Sequence, residues 1–179
     1  MLRLLGPAII ACILPAMAQA REFSFAGIEL GTSCDEAERI LSGAHAITAE
    51  TRSGITAGRM FRLRAGAMGV DFVKSGTVIC SPGFELVEGI ELIIDKDSAG
   101  TVADLLGKEF REQSRNLPRL GSGYASYVSE SGKTSAQIRY VHVSFDARVQ
   151  MTTQFFDELL DHANREEEKE QQRMLKDAF

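Results

Sequence analysis

The sequence predicts an α+β fold: an antiparallel sheet with helices packed on one face, closed by a C-terminal helix. Three observations carry this. Two stretches read as capped helix starts, at Ser33 and at Thr101. Each is followed by short runs in which apolar and polar residues alternate, the two-residue period of half-buried strands. The chain then ends in a charged run at helical spacing, Gln154 to Phe179.

The first unit is organised around residues 24–43, SFAGIELGTSCDEAERILSG. Phe25, Ile28 and Leu30 supply the apolar side of a short strand, with Gly27 and Gly31 as punctuation. Ser33 with Glu36 three residues on reads as a capping box, and Asp35 adds negative charge where the helix dipole favours it. Cys34, Ala37, Ile40 and Leu41 recur at helical spacing, and Gly43 is placed to end the helix. Residues 44–54 are polar and loop-like. Strands are expected over 55–64, 68–73 and Thr77–Cys80, with a turn at Ser75-Gly76. A long strand follows, Phe84 to Asp95, with Gly89 as a bulge.

The pattern then restarts. Thr101 and Asp104 form a looser capping box, and Val102, Leu105, Leu106 and Phe110 give a helical apolar stripe running to about Arg115. Residues 122–130 and 134–145 read as a hairpin about Ser131-Gly132, and 147–152 as a last strand with Val149 and Met151 inward. Residues 22–95 and 96–152 are therefore expected to be two diverged helix-plus-strands units within one domain, 21–152. The remainder, 153–179, is a charged helix. Its start offers Phe155, Phe156, Leu159 and Leu160 for burial, residues 164–173 contain no apolar side chain, and Met174, Leu175 and Phe179 return at the tip. A helix that is polar all round is solvated or reaches toward something else.

The chain opens with a short basic region at Arg3, an apolar core from Leu4 to Leu14, and Ala18-Gln19-Ala20 as a small-x-small cleavage site. This is the pattern of an export signal over residues 1–20, cleaved after Ala20, and it places the protein in the periplasm. No later segment is long and apolar enough for a transmembrane span. Ile9-Ile10-Ala11-Cys12 loosely matches a lipidation motif, but few apolar residues precede Cys12, so a lipid anchor there is not expected. Residues 1–20 carry one arginine and no acid, so the mature chain has 19 basic against 25 acidic residues, a net −6. That balance argues against nucleic acid as a partner. The mature chain keeps Cys34 and Cys80, an even pair expected to form a disulfide in an oxidising compartment. The alternatives are two separate buried thiols, or a Cys34 made reactive by its helix N-terminus.

The chemistry-bearing motifs are sparse. Ser131-Gly132-Lys133-Thr134 imitates the end of a phosphate loop but lacks the preceding glycine, since Tyr127 stands there. His45, His142 and His162 are far apart and define no metal site, and only an acid such as Asp146 suggests a partner for His142. Alternation splits Glu85, Glu88 and Glu91 between the faces of one strand region. Tyr124, Tyr127 and Tyr140 are the candidates for surface stacking. No catalytic residue, cofactor or metal is expected.

The run Gly27-Ile28-Glu29-Leu30-Gly31-Thr32-Ser33 with Asp35-Glu36-Ala37 resembles a pattern of small exported bacterial domains, a short strand, an LG-x-S turn, an acidic-capped helix and then strands. The β-lactamase-inhibitor fold and the small outer-membrane-assembly lipoprotein domain look like this, and the tandem order is more similar to the inhibitor fold. The resemblance implies a non-enzymatic protein-binding or inhibitor-type module. The alternative is an envelope assembly factor acting through the C-terminal helix, with Phe155, Met174, Leu175 and Phe179 meeting a protein partner. An envelope hydrolase with unrecognised catalytic residues is a third reading, which turnover lost in His142→Ala would favour.

Overall fold

A computed structural model describes residues 21–177. The expected export signal, Cys12 and the cleavage site lie outside the described residues, as does Phe179. The chain runs β1 (Ser24–Phe25), β2 (Ile28–Glu29), α1 (Cys34–Gly43), β3 (Ile47–Arg52), β4 (Arg59–Leu63), β5 (Val73–Cys80) and β6 (Val87–Asp95). It continues through α2 (Ala99–Glu109), β7 (Arg111–Asn116), β8 (Gly123–Val128), β9 (Thr134–Tyr140), β10 (Asp146–Thr153) and α3 (Gln154–Asp177). The fold is α+β. β1 and β2 form a small hairpin, and the other strands make one eight-stranded antiparallel sheet in the order β3-β4-β5-β6-β10-β9-β8-β7. A helix followed by four strands thus occurs twice, and the fourth strand of each set, β6 or β10, pairs with the other at the centre.

α1 and α2 lie over one face. Cys34, Ala37 and Leu41 of α1 and Ala99 and Ala103 of α2 join a core with Phe61, Val78, Ile90, Ile94, Ile138 and Val149 of the sheet. Phe23 stacks on Phe110 with ring centroids 3.9 Å apart, fastening the N-terminal segment beneath the end of α2. Cys34 and Cys80 form a disulfide across the α1–β5 contact, so Cys34 is buried and bonded, and the reading of it as a reactive thiol falls. The loop before α1 is also laced to β6: Val87 N donates to Thr32 O, and Gly31 N to Val87 O. Arg59 of β4 reaches Asp35 and Glu38 of α1 and Glu50 of β3, tying helix to sheet edge.

The structure corrects several local expectations. The single strand expected at 24–30 is a hairpin, because Ala26 and Gly27 both take positive φ, 52° and 86°, as a tight turn requires. The capping box at α1 is half made: Glu36 N donates to Ser33 Oγ at 3.2 Å, but the Glu36 carboxylate accepts from Arg39 instead. The left-handed position after α1 belongs to His45, φ 51°, and not to Gly43. Residues 47–52 are an edge strand and not a loop; their polar composition reflects an edge with little to bury. Residues 67–69 form a short 3₁₀ turn, and β5 runs unbroken through Ser75-Gly76, just past a register shift between Val73 and Ser75. Gly89 does stand beside a register shift in the β5–β6 pairing. Thr101 lies inside α2, which starts after Ser98 with no side-chain cap. α2 stops at Glu109, because Phe110 turns extended to stack on Phe23, and Arg111–Asn116 becomes an edge strand with every residue exposed. Residues 141–145 do not continue β9. Ser144 N donates to Val141 O and Asp146 N to Ser144 Oγ, closing a turn that leaves Val141, Val143 and Phe145 exposed.

Candidate functional site

Antiparallel pairing sends alternate side chains to opposite faces. With α1 and α2 over one face, the residues between the core positions form a second face, and its rows can be followed through the register. One row runs Arg62, Thr77, Glu91, Gln150, Gln137, Ser126. The next runs Ser75, Ile93, Arg148, Arg139, Tyr124, Asn116. This face is polar and free of α1 and α2.

Among the described helices, only the first turns of α3 touch it, beside Ile55 of the β3–β4 loop. Phe156 is 2% exposed and lies against Gly89, where a Cβ would stand 3.3 Å from its ring. Thr153 assists twice: its Oγ1 accepts from Phe156 N and donates to the buried Glu88 carboxylate. From Asp161 to Met174 every α3 residue whose side chain is described is exposed. α3 covers the near end of β9 and β10, where Ser135 Oγ donates to Asp157, and the part of the face around Tyr124, Arg139 and Arg148 stays open.

There a cleft of about 560 Å³ is lined by Tyr124, Arg139, Val141, Ser144 and Arg148, among others. Arg139 and Arg148 are direct register partners, both exposed. The Arg139 guanidinium lies 5.2 Å from the centre of the Tyr124 ring. Arg148 approaches Glu91 at 3.7 Å, whereas no carboxylate lies within ion-pair distance of Arg139 among the described residues. Tyrosine and arginine offer area and hydrogen-bond donors, and they are enriched at the centres of protein contact surfaces.

The loops at the Asp95 end of the sheet expose apolar side chains: Leu120, Val143 and Phe145 are each more than 80% exposed. Lys96 braces these loops, its Nζ donating to Gly121 O and His142 O and lying 4.7 Å from the centre of the Tyr140 ring. Lys74 sits between Asp95 and Asp146, at 2.7 and 2.6 Å, and those hydrogen bonds raise its pKa. Asp146 is thus committed to Lys74, and no acid pairs with His142 among the described residues.

Of the residues expected to meet a partner, Phe155 and Met174 are exposed at opposite ends of α3, at 45% and 57%. Leu175 lies in the last helical turn. Phe179 is outside the described residues. Of the three tyrosines only Tyr124 reaches the open face; Tyr127 and Tyr140 are buried. No group of three His, Cys, Asp or Glu residues could hold a metal ion among the described residues. No described helix is long and apolar enough to cross a membrane. The arginine pair escapes a reading along the chain, because residues nine apart become neighbours only through the β9–β10 register. No protein-family model, curated protein or solved structure matches the chain; what points to function is the geometry of the face itself.

Proposed function

We propose that the chain is an exported periplasmic protein that works as a non-enzymatic protein-binding module of the inhibitor type, holding its partner on the open sheet face. The observation that carries this is the uncovered part of the face on β8, β9 and β10, with Tyr124, Arg139 and Arg148 in one row and Ser126, Gln137 and Gln150 in the next. A rigid sheet presents such side chains at fixed spacing, which lowers the entropic cost of binding. The resemblance of residues 27–37 to inhibitor-type domains agrees with this reading, and so does the order helix then four strands, met twice. We assign residues 1–20 to the export signal and residues 22–95 and 96–152 to two diverged units.

The test is crosslinking capture in cells, with the intact chain, with Gln137→Trp, and with a chain truncated after Ala163. A partner held by the intact and truncated chains and lost from Gln137→Trp supports the face. A partner lost on truncation alone overturns it in favour of an assembly factor acting through α3, the reading favoured by the exposure of Asp161 to Met174. An N-terminus beginning at Arg21 in the exported protein checks the assignment of the signal.

A further inference from the structure

Charge is divided unevenly over the molecule. α3 carries eight acidic and four basic residues, a net −4, and so holds most of the −6 of the chain without its first 20 residues. The open face shows the opposite sign. Arg139 and Arg148 face each other directly across two hydrogen-bonded strands, an arrangement that like charges disfavour. Among the described residues nothing compensates it fully: Arg148 has Glu91 at 3.7 Å, and Arg139 has the Tyr124 ring. Two guanidiniums held so close form a receptor for two carboxylates.

The spacing of those carboxylates is set by the sheet. Side chains of register partners stand about 5 Å apart. Residues at i and i+4 on a helix are separated by about the same distance, 5–6 Å. α3 offers that pair at Glu166 and Glu170, whose partners within the helix, Lys169 and Arg173, are exposed and easily exchanged. The arm does not reach its own arginines: it leaves the sheet beyond Leu160, and none of its described acids pairs with them.

We propose that the cleft of Tyr124, Arg139 and Arg148 receives the α3 arm of a second copy of this chain, Glu166 and Glu170 meeting the two guanidiniums, in a reciprocal two-fold exchange. This is a self-complementary contact of the closed kind that favours dimers over filaments. It rests on the open face being the contact surface, and it adds a form of control: a face covered by a neighbouring arm is closed to another partner.

Sedimentation velocity of the chain beginning at Arg21 tests it, over a range of concentration at low and high salt. A dimer that weakens with salt is expected. Arg139→Glu/Arg148→Glu and Glu166→Arg/Glu170→Arg should each be monomeric, with self-affinity reduced at least tenfold. An equal mixture of the two variants should dimerise again, because both of its contacts are then complementary. Misfolding of either variant would not give that rescue. A wild-type chain that stays monomeric, or a dimer indifferent to both charge reversals, overturns the proposal. If the wild-type chain is monomeric while Gln137→Trp still abolishes partner capture, this inference fails and the reading of the face stands. If the dimer forms and no partner is captured, the reverse holds.

Discussion

Gly123 of β8 and Tyr140 of β9 are register partners, and the phenol ring of Tyr140 fills the space in which a side chain at Gly123 would stand. A Cβ there would come 2.1 Å from the ring, while the Tyr140 hydroxyl is held by a 2.7 Å hydrogen bond to Pro118 O. Gly123→Ala must therefore displace an anchored ring. A loss of about 2–3 kcal/mol is expected, read from the midpoint of urea unfolding. An unchanged midpoint would show that the ring does not pack there.

The Cys34–Cys80 bridge spans a sequence separation of 46 residues. In the chain-entropy model, closing such a loop stabilises by about 4 kcal/mol. Cys34→Ser/Cys80→Ser should unfold at a much lower temperature than the oxidised chain, and reductant should bring the wild-type chain down to a similar value.

Glu22 ties the start of the described chain to the β8–β9 turn, accepting a 2.5 Å hydrogen bond from Thr134 Oγ1. Burial opposes its ionisation, but the hydroxyls of Ser131, Thr134 and Ser129 and the charge of Lys133 outweigh that and hold its carboxyl below the ordinary range. The unfolded chain titrates near the ordinary value, about 4.3. The stabilisation is therefore complete above that value and disappears as pH falls through the lower folded one. Glu22→Gln should be less stable than wild type at neutral pH, and the two should converge in acid. A difference that grows on acidification would contradict this.

His45 carries φ 51° just past the Ala44 C-cap of α1, a conformation that costs most L-residues about 1–2 kcal/mol. Its side chain is exposed. His45→Gly should raise stability by about 0.5–1 kcal/mol, the relief of strain exceeding the extra freedom glycine has when unfolded. A thermal melt suffices to check it.

Phe156 is the main fastener of α3. Phe156→Ala should cost about 3 kcal/mol, the usual range for a fully buried aromatic. It should also raise proteolytic cleavage within α3 while Gly123–Tyr140 and the disulfide remain intact.

Local signals in the sequence found what local physics controls. Ser33 does cap α1, Cys34 does meet Cys80, and the alternation of Val149 and Met151 does point inward. They failed where tertiary contact decides. Arg111 to Arg115 are mostly good helix formers, yet Phe110 is drawn onto Phe23 and the chain after it pairs with β8. Val141, Val143 and Phe145 alternate like a strand but have no neighbouring strand to pair with, because Ser144 closes a turn. The open face was legible only as a possibility. Its composition becomes visible after eight strands are placed in register, since Tyr124, Arg139 and Arg148 lie on three of them.

The bridge joins α1 to β5, so both of its cysteines belong to the first helix-and-four-strands set. These residues leave the ribosome, or any pore, before residues 99–153 do. β3 to β6 pair only with neighbours close along the chain, apart from the β6–β10 seam. Such short-range pairing is quick to form. Were the bridge to form while the chain is still emerging, it would lock the first half before β10 is present, leaving β6 as an edge for β10 to pair with.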